Sequence, residues 1–378
     1  MGNLTALVRT YNQTAGVPRW LDPLISLLDP SDVPLLGQET SDGLSVLRKI
    51  SVDQKKVEWL DDTLLNQRDA LNGSITSAAT TLDVDNGQKF QVGHLLKVDD
   101  EAMRVTSVST NTLTVTRGYG DSDAASHADN DVVVGLGTAL AEGSDPEAFR
   151  GVDRTERHNF TQIFGPYELK VSGTQMVVPR WGVPNEFDYQ VGKAIKQTGV
   201  EIEQSILYGE REDDTNNAWR SFGGLTYYIT SANGASVDTS TTTITEAKLL
   251  DILQAIYDAG GRADRVVAGS AQKRAISGLA TAGGDSITIN VDQSVKRRGV
   301  VVDFLDSDFG DAFIVLDRWC RTEDVFVFPR DNIAVATLRP LVFEPLAKTG
   351  DSMKGEVVCE KSLVVKSAKH TGRFTALT

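Results

Sequence analysis

A chain of 378 residues is long enough for more than one hydrophobic core, because single cores stop growing at roughly 250–300 residues. Its 52 acidic against 38 basic side chains, a formal charge of −14, exclude a reader of duplex DNA, which needs Lys and Arg to replace condensed counterions. Hydrophobic content of 40% and charged content of 24% are those of a folded protein, and no apolar run approaches the roughly 18 residues of a membrane span. The opening "MGNLTALVRTYNQTAG" has neither the basic start nor the apolar core of a signal peptide, so folding in a cytoplasm is expected.

Residues 1–50 read as an extended arm, cut by prolines at 18, 23, 30 and 34. An arm cannot bury Trp20, Leu21, Leu24 and Ile25 by itself, so these side chains are expected to dock on a neighbouring subunit. Next, "KKVEWLDDTLL" (55–65) predicts a strand and "HNFTQIFGPYELKVSGTQMVV" (158–178) its returning partner, together an extended hairpin over 51–66 and 152–180. Trp59, Leu60, Phe160, Ile163 and Phe164 are expected at subunit contacts on this hairpin.

Between the two arms of the hairpin lie "TTLDV", "HLLKV", "EAMRVTSV", "TLTVTRG" and "DVVVGLG", each short and rich in β-branched residues. They predict a small all-β domain inserted over 67–151, with "AEGSDPEAFRG" as its exit linker. Within it, "DVDNG" (83–87) fails as a calcium loop, since position twelve is His94 where a bidentate Glu is needed. The loop "DSDAASHADND" places Asp121, Asp123, His127, Asp129 and Asp131 together as a candidate divalent-ion loop; a solvated turn is the expected reading, and no metal is assigned.

After the hairpin, "EFDYQVGKAIKQTGVEIEQSILY" (186–208) predicts a long helix, capped by Asn185, ended by Gly209, with Phe187, Val191, Ile195, Ile202 and Ile206 as its apolar stripe. Gly192 and Gly199 are expected on one side of it, packed closely on a sheet. From 222 to 330 strands and helices alternate: "TITEAKLLDILQAIYDAGG" predicts a helix with a capping box at Thr243 and Glu246 and a stop at Gly260–Gly261, and "GVVVDFL", "AFIVLD" and "DVFVFP" predict buried strands. Residues 331–378 close the chain with alternating strands. Cys320 and Cys359 lack the spacing of a zinc or redox pair and are expected to be buried thiols.

No Walker loop, G-x-S-x-G elbow or H-E-x-x-H helix is present, and "GLGTAL" (135–140) lacks the third glycine of a dinucleotide fingerprint. The neighbouring carboxylates Asp61–Asp62 and Asp213–Asp214 would face opposite sides of a strand, whereas a glycosidase needs two facing one substrate. No catalytic residue and no cofactor is therefore expected.

"NFTQIF" and "KVSGTQ", then a long helix ending "IEQSILYG", then "GGRADRVVAGSAQKRAISGL" and "RPLVFEPLAKTGDSMKGEVVCEKSLVV" resemble, in this order, the major head proteins of tailed phages. The resemblance implies an α+β fold of the Hong Kong coliphage type: arm at 1–50, extended loop at 51–66 and 152–180, spine helix at 181–221, an α/β axial domain at 222–330 and closing peripheral strands at 331–378. It implies a self-assembling shell of pentamers and hexamers around the viral DNA, with a separate scaffolding protein and a portal, no membrane, and a place in the virion after assembly in the host cytoplasm. The inserted β domain departs from the minimal fold and is expected on the outer surface, bridging capsomers. A non-viral nanocompartment on the same fold and a tail or baseplate protein are the alternatives.

Overall fold

The computed structural model describes residues 30–37, 45–139, 141–143, 145, 151–152, 154–178, 183, 185–214, 219–282 and 304–378. Trp20, Leu21, Leu24 and Ile25 lie outside the described residues. In chain order the elements are α1 (Pro34–Gly37), β1 (Arg48–Ser51), β2 (Lys56–Asp61), β3 (Arg68–Ala70), β4 (Thr81–Asp83), β5 (His94–Val98), β6 (Glu101–Ser109), β7 (Thr112–Thr116), β8 (Val132–Thr138), β9 (Thr155–Phe160), β10 (Gln162–Ser172), α2 (Gly173–Val177), α3 (Glu186–Tyr208), β11 (Glu212–Asp214), β12 (Trp219–Ser221), α4 (Leu225–Tyr228), β13 (Ser236–Asp238), α5 (Glu246–Asp258), β14 (Arg265–Ala268), α6 (Ser270–Ala282), β15 (Phe304–Leu305), β16 (Ala312–Leu316), β17 (Val325–Phe328), β18 (Ile333–Leu346), β19 (Ser352–Val365) and β20 (Gly372–Phe374). They form two compact units, Leu60–Thr155 and the remainder of the chain.

The smaller unit is a β module with strand order β3-β8-β5-β6-β7-β4. Its two outer strands meet: Leu71 bridges Val84, the Asn72 amide donates to the Asp83 carbonyl (2.9 Å) and the Asp85 amide to the Ala70 carbonyl (3.2 Å). The sheet thereby closes on itself and leaves no long unpaired edge. Alternation explains its core, since β5 buries His94, Leu96 and Val98 while β7 buries Leu113 and Val115. These apolar side chains pack with Leu71, Leu82, Val84, Phe90, Met103, Val105 and Val133.

The larger unit is built on a four-stranded sheet, β1-β18-β19-β10. β18 and β19 form a long antiparallel hairpin, β1 runs parallel to the start of β18, and β10 pairs antiparallel with β19 from Gln162↔Lys361 to Ser172↔Ser352. Here the structure differs from the expected hairpin: only β9 pairs with β2, and β10 turns away to join β19. The alternation that suggested a return partner for 55–65 marks a strand with one buried face, and period two alone does not say which neighbour supplies the pairing.

A six-stranded mixed sheet, β13-β20-β17-β14-β16-β15, forms the α/β layer. β14 and β17 are buried along their whole length, and their side chains divide between two cores. Val266, Ala268, Val325 and Val327 face a cluster containing Leu249, Leu253 and Ile256 of α5, while Val267, Phe326 and Phe328 face the cluster that holds α3 and the long sheet. A strand covered on both faces reads as a continuous apolar run, which is why "DVFVFP" lacks alternation. The C-terminal segment does not end in the long sheet: β20 inserts between β13 and β17, and Phe374 and Leu377 complete the α5 core.

The long helix spans Glu186–Tyr208 with the Asn185 side chain accepting from the Phe187 amide (3.0 Å). Its buried stripe runs through Phe187, Ala194, Thr198, Gly199, Ile202, Glu203 and Ile206, whereas Ile195 is exposed. Only Gly199 of the two glycines is buried, and a Cβ at Gly192 would meet open space. Close packing on one glycine side is therefore not the geometry. α5 is capped by Thr245, which accepts from the Lys248 amide (3.4 Å), two residues after the expected Thr243. Its stop is as expected, Gly260 adopting φ +93 with Gly261 donating to the Ile256 carbonyl (2.9 Å).

Candidate assembly surfaces

The two segments most diagnostic in the sequence meet inside the larger unit. Asn159, fully buried, donates to the carbonyls of Leu363 (2.6 Å) and Gly223 (3.1 Å) and accepts from the Gly223 amide (2.9 Å). Thr161 donates to Glu360 Oε1 (2.6 Å), and Glu360 is also held by Arg220 and by Arg339 (3.1 Å). Burial alone would raise the Glu360 carboxyl, but the donors from Thr161, Arg220 and Arg339 outweigh it and the net shift is downward. "NFTQIF" and "CEKSLVV" are thus the two halves of one buried polar lock, joining the end of β9 and the β9–β10 junction to the C-terminal half of β19.

A second polar anchor seats the chain that precedes the sheet. Glu203 of α3 accepts from the amides of Leu35 (2.6 Å) and Leu36 (3.0 Å), satisfying N–H groups at the start of α1. Burial pushes the Glu203 carboxyl up, Asp317 adds to the rise, and the two amides only partly offset it, leaving it at about 8. Nearby, Asp32 pairs with Arg318 (3.2 Å) and its carbonyl accepts from the Trp319 indole (2.8 Å). Leu35 itself belongs to the main core. The sequence analysis missed Glu203; its place on the apolar stripe of α3, next to Ile202 and one turn before Ile206 and Leu207, was the signal available.

Of the side chains expected at subunit contacts, Trp59 and Phe164 lie in the protomer's own core, Trp59 against Tyr228 (ring centroids 5.6 Å) and Phe164 against Phe222 (6.0 Å). Both fill space inside the chain, so neither is available to a neighbour. Phe160 is half-buried beside His158, while Leu60 and Ile163 are exposed. The larger unit exposes a different apolar group at the far end of its long sheet. Met176, Val177 (82% exposed) and Val178 follow β10, and Leu346 and Met353 flank the β18–β19 turn. These segments share one end because Ser172 pairs with Ser352 and the Gly173 amide donates to the Asp351 carbonyl (3.1 Å).

In the β module the acidic loop is organised by a buried carboxylate. Glu101 accepts from Arg117 Nε and Nη2 (both 2.6 Å), from the amides of Ala125 (2.9 Å) and Gly118 (3.1 Å), and lies 3.1 Å from His127 Nε2. Burial works to raise its carboxyl, but these donors prevail and hold it at about 2. Arg117 also donates to the carbonyls of Thr76 and Ala79, each at 2.9 Å. Asp121 and Asp123 are exposed, and Asp129 accepts from the Gly73 amide (2.7 Å). Asp131 is the one of the four that joins a cluster, with His127 and with Asp99 from the β5–β6 turn. Asp99 was missed because it lies outside the acidic run and reaches it only through strand pairing.

Three solved capsids share the architecture. The Cyanophage A-1(L) capsid asymmetric unit matches with TM-score 0.55 at 11% identity, over 98% of this chain and 100% of that one. The capsid of a native GTA particle matches with TM-score 0.54 at 9% identity over 100% of both chains, and the capsid of Myoviridae phage XM1 with 0.51 at 10%, over 98% and 99%. At these identities the likeness is one of fold, and the fold is that of a phage major capsid protein. No curated protein sequence matches the chain. The chain belongs to the SU10 major capsid protein family, whose model matches residues 5–378. It is a structural protein of the virion shell, and this membership favours a phage head over the compartment and tail readings.

Proposed function

We propose that copies of this chain assemble in the host cytoplasm as pentamers and hexamers, on a separate scaffolding protein and a portal, into a closed head that holds double-stranded DNA and performs no catalysis. The observation that carries this reading is the exposed apolar end of the long sheet formed by Met176, Val177, Val178, Leu346 and Met353, in a member of a major capsid family. Burying one such side chain against a neighbour contributes about 1.5–3 kcal/mol, and closed symmetry repeats the gain at every subunit. A charge of −14 supports an inner wall that does not bind packaged DNA. In the same reading the β module adds contacts between capsomers from the outer surface.

Electron microscopy of the protein co-expressed with its scaffolding protein and portal tests the proposal. Wild-type protein forms shells, or rings of five and six, and Val177→Asp gives folded protomers that do not. Normal shells from Val177→Asp would remove this end of the sheet from assembly. A second test removes residues 1–29 and keeps Leu35, whose burial shows that a longer truncation would damage the core; the product folds and fails to close shells.

A further inference from the structure

Asp99, His127 and Asp131 each offer a ligand atom within 4.8 Å of the others, the one such His/Cys/Asp/Glu group among the described residues. His127 is almost wholly buried, Asp131 half-buried and Asp99 exposed, so an ion would reach the site from solvent and rest against a fixed ring. The ring is fixed from behind. Its Nε2 lies 3.1 Å from Glu101 Oε2, an oxygen that already accepts from Arg117 Nη2 and the Ala125 amide, so Nε2 is placed to donate to it. Histidine ligands of metals show this arrangement: one ring nitrogen donates to a carboxylate, which sets the tautomer and aims the other nitrogen.

The other nitrogen, Nδ1, then faces Asp99 Oδ2 at 2.9 Å. With Nε2 donating, the Nδ1 lone pair and the Asp99 carboxylate are both acceptors, and either a proton on Nδ1 or one metal ion bound by both accounts for their approach. The surroundings lack basic groups to balance the carboxylates. Among the described residues neither Asp99 nor Asp131 pairs with Lys or Arg, and the Arg117 charge is engaged by Glu101. Asp131 Oδ2 takes the Ala128 amide (2.6 Å), which orients its carboxylate.

We propose that Asp99, His127 and Asp131 form a binding site for a divalent transition-metal ion of the Zn²⁺ type, with Glu101 orienting the histidine. One imidazole and two carboxylates suit Zn²⁺ and leave a position for water, whereas Ca²⁺ and Mg²⁺ favour oxygen ligands alone. The ion ties two segments together: the loop that follows Arg117, which carries both His127 and Asp131, and the β5–β6 turn with Asp99. Its role is to fasten that loop to the closed sheet, and it stands independently of the assembly reading.

The test uses the untagged full-length chain, stripped with chelator and titrated with ZnCl₂ by calorimetry. One Zn²⁺ binds per chain, and Asp99→Asn and Asp131→Asn each weaken binding at least about tenfold, the lower end of losses seen when ligand shells are altered. Hydrogen exchange of residues 121–131 slows when ZnCl₂ is added to the wild type and is unchanged in the two variants. Exchange of β5 and β6 without metal verifies that both variants keep their fold. Asp121→Asn with Asp123→Asn retains wild-type binding. Absence of Zn²⁺ binding overturns the proposal and leaves a proton as the cation between His127 and Asp99. Binding undiminished in Asp99→Asn and Asp131→Asn, loss in the Asp121/Asp123 variant, or equal binding of CaCl₂ would also overturn it, as each describes ions gathered by surface acids.

Discussion

Replacing Glu101 by Gln isolates the energetics of the β module. Glu101 is 2% exposed and its partner Arg117 is also buried, so the substitution leaves a guanidinium without its counter-charge. Breaking a buried pair from one side costs about 3–5 kcal/mol. A second figure follows from proton linkage: a carboxyl held at about 2 instead of its ordinary 4.5 contributes about 3 kcal/mol at neutral pH. Because the folded value lies below the unfolded one, that contribution is complete above about pH 4.5 and disappears as the pH falls towards 2. For a domain near a hundred residues each kcal/mol moves Tm by about 4–8 °C, so a drop of about 12–24 °C is expected. Calorimetry of the full chain can assign the transition, because Trp20, Trp59, Trp181, Trp219 and Trp319 all lie outside 60–155. A heat-absorption peak without a change in tryptophan fluorescence belongs to the module. Glu101→Gln lowers that peak at pH 7, and the wild-type peak falls between pH 5 and 2.5 while that of the variant falls less. A shift below about 4 °C in Glu101→Gln, or a wild-type peak indifferent to acid, would refute the assignment of Arg117–Glu101 as the organising pair.

Other outcomes follow from the larger unit. Asn159→Ala leaves the Leu363 carbonyl and both backbone groups of Gly223 without this partner, and tryptophan-monitored denaturation should show a loss of about 2–4 kcal/mol, since each buried unsatisfied group costs about 1–3 kcal/mol. Glu203 is an acid whose folded value is raised, so its contribution is whole below about pH 4.5 and is lost as the pH climbs through about 8; Glu203→Gln flattens this alkaline decline in protomer stability. Replacing residues 60–155 by a short turn leaves a soluble larger unit with native tryptophan fluorescence, and an insoluble product would show that the β module is needed for folding.

The sequence was most legible where local chemistry decides structure. The bounds of α3 follow from Asn185, Gly209 and the apolar spacing between them, and the five β-branched runs of the module fall on β4 to β8. It was least legible where partners are remote. Nothing local to 162–172 says that its neighbour is β19, and nothing near Gly372 says that three residues will fill the gap between β13 and β17. The surface suffers the same limit: Trp59 and Phe164 look like contact residues until Tyr228 and Phe222 are brought beside them. Glu203, Asp99 and the Glu360 lock are interactions across long sequence separations, for which periodicity carries no signal.

The polar lock also sets an order of events on the ribosome. Asn159 meets its acceptor at Leu363 after 204 further residues, and β1 and β10 both wait for the β18–β19 hairpin. At about 5–20 residues per second of synthesis, some 10–40 s pass with the apolar face of β10 uncovered. The β module is contiguous in the chain and is free to fold during that interval. A nascent subunit on a crowded polysome therefore carries an unfinished sheet while its β module is already complete.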